Sequence, residues 1–419
     1  MTSFTQKTST TFRNVMLALL LVVFGASAAL AQTRAYVTNA NDNTVSVIDT
    51  TTNTVVATVP VGTFPGGIAI TPNNASVYVT NQFDNTVSVI DTATNTVIAT
   101  VPVGFGPTSV AITPNGAFAY VTSLAFGPVF VIDTATNTVV ATVPAGVIST
   151  GIAITPNGAF AYVGDLTGSL SAEVSVIDTT SNTVVATIPM VGGTPILIAI
   201  TPNGAFAYVT HSFGSNVSVI DTATNTVVAT VPVGGATVGV DITPNGAFAY
   251  VSDPNIDTVV VIDTATNTVS ATVPVGSPQG VTVTPNGAFV YVPSFFDNNV
   301  SVIDTATNTV TATIPVGSGP VFVVFNTPQS PQDQIAALID QVEALIAGGT
   351  LTQNQGDGLI NKLNQVSTKL DANQTAAACN QLGSFLNQVN AFINNGSLSQ
   401  SQGQALIDAV NALRTNLGC

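Results

Sequence analysis

The sequence predicts a mainly β protein, a seven-bladed β-propeller with four antiparallel strands per blade, followed by a small all-α four-helix domain. Three observations carry this expectation. The string Val-Ile-Asp-Thr occurs seven times, with aspartates at Asp49, Asp91, Asp133, Asp178, Asp221, Asp263 and Asp304, at intervals of 41 to 45 residues. A period of that length marks one four-stranded blade, which buries its faces only against neighbours, so seven units imply a closed ring. Beyond residue 332 the apolar period changes from two to near 3.6, and this stretch repeats internally at an offset of 47 residues.

Residues 1–31 read as a secretory signal: Lys7 and Arg13 form a basic start, Val15 to Phe24 an apolar stretch, and Ala29-Leu30-Ala31 a small-residue cleavage site. The apolar stretch is too short to predict a membrane-spanning helix. The mature chain is therefore expected to begin at Gln32 and to be exported to the cell surface or medium, or to remain in the periplasm. The propeller is assigned to 32–327, a linker to 328–332 and the helical domain to 333–419.

Within the fourth repeat, strand A centres on Ile154, strand B is Phe160 to Val163, strand C Val174 to Ile177, and strand D Val184 to Ile188. Thr-Pro-Asn-Gly separates A from B and reads as a hairpin, because Pro presets one turn angle and Gly accepts a positive φ. The repeated aspartate precedes a second hairpin, where its carboxylate is expected to cap backbone amides. The first repeat begins at Ala35 without a strand A, whereas the last carries a surplus strand at Val321 to Asn326. That surplus strand is expected to complete the first blade. Outer strands end in Pro60, Pro102, Pro144, Pro189, Pro232, Pro274 and Pro315, which discourages edge-to-edge pairing.

Tyr36-Val37-Thr38-Asn39 and Tyr78-Val79-Thr80-Asn81, each followed by Thr-Val-Ser-Val-Ile-Asp-Thr, resemble the YVTN β-propeller repeat of archaeal surface-layer and secreted bacterial proteins. The resemblance covers about 290 residues and implies a propeller displayed outside the cytoplasm. Later blades depart at the fourth motif position, with Ser123, Asp165, His211, Asp253 and Ser294 in place of asparagine.

Residues 35–327 contain 15 acidic residues, no Lys, no Arg and one His. Loss of Lys7 and Arg13 with the signal takes the net charge from −15 to −17. Nucleic acid and anionic membrane surfaces are disfavoured as partners, since nothing here neutralises phosphate. Membrane insertion is not expected after signal cleavage. Neutral or cationic partners suit this field better.

In the helical segment, Ile335, Leu338, Ile339, Val342, Leu345 and Ile346 form one apolar stripe. Gly-Thr-Leu-Thr-Gln-Asn-Gln-Gly at 349–356 returns as Gly-Ser-Leu-Ser-Gln-Ser-Gln-Gly at 396–403, which predicts two tandem helical hairpins with Thr or Ser N-caps. Residues 333–417 resemble the FIMAH-type helical domain found at the C-terminus of secreted bacterial proteins. Both cysteines, Cys379 and Cys419, lie here and are expected to pair in an oxidising compartment. A metal or redox site is the rival reading, without C-x-x-C spacing to support it.

The inventory for catalysis is thin. All seven tyrosines occupy one repeat position, Trp is absent, and His211 is the sole histidine. No metal cluster, cofactor or catalytic residue is therefore expected, and the protein is expected not to be an enzyme. A lactonase or lyase on a propeller is the alternative.

Function, if localised, belongs where the repeats disagree, in the B–C and D–A connections that share one rim. These carry Phe64, Phe83, Phe105, Phe126, Phe213, Phe295 and Phe296, with Asp165, His211 and Asp253 nearby. The phenylalanines are expected either to bind a protein, peptide or glycan or to fold inward as plugs. Asp241 stands where Ala69, Ala111, Ala153 and Ala199 stand in other blades, and faces either an inter-blade seam or the central channel.

Overall fold

Each repeat folds as one antiparallel sheet, because its four alternating runs are separated by turns that leave no room for another connection. The computed structural model describes residues 33–124, 127–166, 171–326 and 330–419. The signal expected over 1–31 lies outside them. Among the described residues, 28 strands, β1 to β28 in chain order, form seven four-stranded sheets. Blade two shows the pattern, running from β4 (Pro65–Ile70) through β5 (Ser76–Asn81) and β6 (Thr86–Asp91) to β7 (Thr96–Pro102). The middle strands are buried on both faces, whereas the outer strand alternates with solvent.

Turn chemistry matches the repeat residues. Asp133 Oδ1 accepts from the amides of Ala135 at 3.0 Å and Thr136 at 2.8 Å, and Asn137 closes that turn at φ 54°. Asn115 Oδ1 accepts from Thr113 Oγ1 at 2.7 Å and from the Ala117 amide at 3.0 Å. The expected turn-capping role of the repeated aspartates is thus present in the geometry.

The ring closes as expected. Strand β28 (Pro320–Phe325) pairs with β1 (Arg34–Asn39), with Ala35 opposite Phe325 and Val37 opposite Val323. Burial is distributed in the seams between blades, where Tyr36, Tyr78, Tyr120, Tyr162, Tyr208, Tyr250 and Tyr291 are the largest enclosed side chains of the propeller. Two inner strands are short, β20 (Val240–Ile242) and β24 (Thr282–Val283).

The strands fall in one compact unit and the helices in another. The helices are α1 (Pro331–Ala347), α2 (Gln353–Asp371), α3 (Thr375–Asn394) and α4 (Gln400–Leu417). Helix α1 begins inside the stretch read as linker, because Ser330 and Asp333 form a capping box. Thr352 with Gln355, and Ser399 with Gln402, repeat that device at α2 and α4. Leu338, Val342, Leu363, Phe385, Val389 and Val410 share one core. The glycines of the internal repeat are sites of close packing. A Cβ on Gly356 would lie 2.2 Å from Ile346, and one on Gly403 would lie 2.3 Å from Ile393. Cys379 and Cys419 form a disulfide with a Cα–Cα distance of 5.8 Å.

Candidate functional site

Among the described residues the B–C and D–A connections share one rim, and their anchoring explains which side chains stand free. In several blades the fourth motif residue ties the two loops together. Asn81 Nδ2 donates to Thr86 Oγ1 at 3.0 Å and Ser88 Oγ at 2.9 Å, while its Oδ1 accepts from the Gly62 amide at 3.1 Å. His211 does the same work, with Nε2 2.9 Å from Ser218 Oγ and Nδ1 3.2 Å from the Gly193 carbonyl. A carbonyl only accepts, so Nδ1 carries the proton and Nε2 accepts from the serine. Burial lowers the His211 pKa, with the Gly193 contact opposing, which keeps the ring neutral.

The expected grouping of Asp165, His211 and Asp253 with the exposed rim is corrected here, since all three are fully buried. Asp253 Oδ1 accepts from the Asn255 amide at 3.0 Å, and burial raises its carboxyl. These positions end strand B, where alternation points the side chain into the blade. Sequence reading missed this anchoring role, although the adjacent serines of strand C repeat in phase with it.

The phenylalanines behave differently. Phe83 is 65% exposed, Phe105 66%, Phe296 78% and Phe213 93%. Phe64 is half-buried and stacks on Phe83 with ring centroids 4.8 Å apart. Phe295 is half-buried and meets the Phe296 ring edge-on at 5.2 Å. Phe126 lies outside the described residues. Val191 at 84% and Ile256 at 47% join this apolar rim and were missed in the sequence, though they too sit where repeats disagree. Phe83, Phe105, Phe213 and Phe296 thus form an exposed apolar crown, while Phe64 and Phe295 are partly folded beneath it.

Backbone strain singles out two of these residues. Phe64 has φ 56° and Phe213 φ 67°. In the position that Phe64 occupies before a proline, two other blades place Gly106 and Gly319. A bulky side chain in left-handed backbone costs about 1–2 kcal/mol, and such strain concentrates at ligand-contacting sites. The carboxylates beside the crown are partly engaged, Asp84 by the Thr63 amide at 2.6 Å, Asp42 by Ser318 at 2.6 Å and Asp257 by Ser277 at 2.8 Å.

The central channel holds a cavity of about 230 Å³ lined by Ile68, Ser109, Leu197, Asp241, Thr282 and Phe322. Asp241 belongs to channel and seam together. Its Oδ2 accepts from the Val283 amide of the next blade and its Oδ1 from Ile242, both at 2.8 Å. Burial pushes its carboxyl up to about 6 against those two bonds. A larger groove of about 500 Å³ opens between outer strands beside Asp42 and Val55, but its carboxylate is the one already holding Ser318. Among the described residues no three His, Cys, Asp or Glu side chains gather to hold a metal ion.

Residues 335–415 match the FIMAH domain. No curated protein matches the sequence. Solved structures resemble the propeller. Hydrazine synthase of Kuenenia stuttgartiensis is 26% identical with a TM-score of 0.60, covering 65% of this chain and 92% of its own. A functionally unknown protein from Desulfotomaculum acetoxidans is 19% identical with a TM-score of 0.58, covering 71% of this chain and 99% of its own. Dihydro-heme d1 dehydrogenase NirN in complex with DHE is 15% identical with a TM-score of 0.53, covering 70% of this chain and 74% of its own.

The expectation that the protein is not an enzyme is overturned by the likeness, at 26% identity, to hydrazine synthase, which places an enzyme on this fold. A count of His and Arg misses chemistry that a bound group supplies, so a thin side-chain inventory is a poor guide on this fold. The disulfide of the FIMAH-matching unit fits an oxidising compartment, extracellular or periplasmic. Among the described residues no helix is long and apolar enough to cross a membrane.

Proposed function

We propose that the protein is an exported propeller of the YVTN repeat type that captures a neutral or cationic partner, a protein, peptide or glycan, on its loop rim at the cell surface or in the periplasm. The observation that carries this reading is the crown of exposed phenylalanines, of which Phe213 holds left-handed backbone, as does Phe64 beneath it. Each ring covered by a partner contributes about 1.5–3 kcal/mol, enough for several together to offset the cost of association. Acidic charge without any Lys or Arg over 35–327 selects against anionic partners. The test replaces Phe213, Phe295 and Phe296 with Ser and measures surface retention or partner capture beside the melting temperature. Loss of capture at unchanged melting supports the reading, whereas a large loss of stability assigns these rings to the core.

Catalysis is a second reading, favoured by the likeness to hydrazine synthase. The channel carboxyl of Asp241, raised to about 6, is placed to exchange a proton near neutral pH. Turnover by the full chain that survives Asp241→Asn would remove that residue from any such chemistry.

A further inference from the structure

Asp165 and Glu173 stand directly opposite each other on adjacent strands of the fourth blade. In blade two the same pair of places holds Asn81 and Thr86, and in blade one Asn39 and Thr44. There the asparagine amide donates to the threonine hydroxyl and to a serine on the same strand, at 3.0 and 2.9 Å in both blades. Blade four keeps the serine, Ser175, but exchanges both partners for carboxylates. Two donors have been lost and two negative charges gained. Like charges opposite one another destabilise a strand pair, and a buried carboxylate needs a donor or a cation. No Lys or Arg exists anywhere over 35–327 to supply one.

The surroundings offer serine hydroxyls and backbone carbonyls but no positively charged donor. Ser149, itself fully buried, places its Oγ 2.6 Å from Asp165 Oδ1, 2.8 Å from the Gly127 carbonyl and 3.0 Å from the Ala145 carbonyl. One hydroxyl proton serves only one of these three acceptors at a time. Asp165 Oδ2 has no hydrogen-bond partner among the described residues, although Asp165 is 0% exposed. Burial pushes this carboxyl up to about 6, with Ser149 and Ser175 lowering it and Glu173 raising it. The chain is drawn tightly around the oxygens. A Cβ on Gly127 would lie 2.3 Å from the Gly146 carbonyl, and one on Gly146 would lie 2.7 Å from the Asp165 Cβ.

We infer that this seam between the third and fourth blades is a calcium site, formed by the carboxylates of Asp165 and Glu173, the Ser149 hydroxyl and the carbonyls of Gly127 and Ala145. The donor set is oxygen only, which suits a hard cation better than zinc or copper, whose sites favour nitrogen or sulfur donors. Carbonyl-rich, irregular coordination favours calcium over magnesium, which dehydrates reluctantly and demands octahedral geometry. The cation supplies the positive charge that asparagine and threonine make unnecessary in the sister blades, and it locks the third-to-fourth D–A connection to strand B.

The test uses the full chain stripped with EDTA and titrated calorimetrically with CaCl₂ and with MgCl₂. About one calcium per chain is expected, with weaker magnesium binding and a melting temperature raised by about 3 °C or more in millimolar calcium. The double variant Asp165→Asn/Glu173→Thr, which installs the blade-two pair, should lose both the binding and the shift. Glu173→Gln keeps the side-chain shape and should bind at least about tenfold more weakly, which covers the case of a poorly folding double variant. Absence of calcium binding in the unmodified chain, or affinity unchanged in these variants, overturns the assignment. The phenylalanine variants of the rim should bind calcium as the unmodified chain does, so failure of the rim reading is distinguishable from failure of this one.

Discussion

Tyr291 in the last blade donates its phenolic proton to the Asn53 side chain of the first, at 2.8 Å. The same bond passes from blade to blade around the ring, Tyr78 to Asn137, Tyr120 to Asn182 and Tyr162 to Asn225 at 2.6 Å, Tyr208 to Asn267 at 2.7 Å and Tyr250 to Asn308 at 2.9 Å. Tyr36 reaches Asn95 at 3.4 Å. Each asparagine holds left-handed backbone in the turn between strands C and D. Two invariant features of the repeat, its single tyrosine and its Asn-Thr turn, are therefore halves of one inter-blade contact. Burial, with the nearby Asp49, pushes Tyr291 up to about 12, so the phenol stays protonated and able to donate.

Replacing Tyr291 with Phe removes this bond while leaving the ring in place. The expected loss is about 1 kcal/mol, read as a lower urea midpoint at unchanged slope. Tyr208→Phe should cost the same, because the two contacts are equivalent. A midpoint that does not move in either variant would show that the bond contributes nothing net.

Strand β28 joins the two ends of the propeller, so the chain beyond residue 317 is part of the first blade. A chain ended after Gly317 should lose cooperative unfolding of the whole propeller, since Ala35 and Val37 then lose their β28 neighbours and an inner edge opens. A chain ended after Gln329 should keep it. Equal melting of the two truncated chains would argue against closure by this strand.

Asp241 gives the propeller a pH dependence of known sign. Its folded pKa of about 6 lies above the ordinary carboxylate range because burial in the channel wall disfavours the charge. The folded state thus holds a proton that the unfolded state releases. The stability this provides is fully present below about pH 4 and is lost as pH rises through 6. Among the residues lining its cavity no other side chain titrates. Asp241→Asn should flatten unfolding free energy between pH 4 and 7 by about 1–2 kcal/mol, a figure reduced for the surface that faces the channel. An unaltered slope in the variant would show that the proton is bound elsewhere.

The Cys379–Cys419 bridge spans 40 residues of the helical unit and constrains its unfolded chain by about 4 kcal/mol. Under a thiol reductant, scanning calorimetry should show the helical transition fall by many degrees. The propeller contains no cysteine and should melt unchanged. A propeller transition that shifts with reductant, or a helical one that does not, contradicts this division.

The rim shows how far residue patterns reach. That function belongs to the variable loops was legible, because all blades share one packing requirement and only the connections are free of it. That Phe83 and Phe213 face solvent while His211 faces Ser218 was not legible. The difference depends on the irregular pairing of strands A and B, as between Pro195 and Ile198, which sets how the D–A loop lies over the end of strand B. The Asp165–Glu173 pair was hidden for the same reason. Its members are eight positions apart across a loop of altered length, and only strand register makes them neighbours.

The sequence by itself determined the number of blades, the order of strands within each, the helical hairpins and the pairing of the two cysteines. Those follow from local period, turn residues and composition, which each segment carries without reference to the rest. Tertiary structure alone decided which tyrosine meets which asparagine, that Asp241 reaches Val283 across a seam, and that Asp165 is enclosed by oxygens from the preceding blade. These relationships exist only after the ring closes, because they join residues whose separation along the chain is set by packing between blades rather than by any pattern within one.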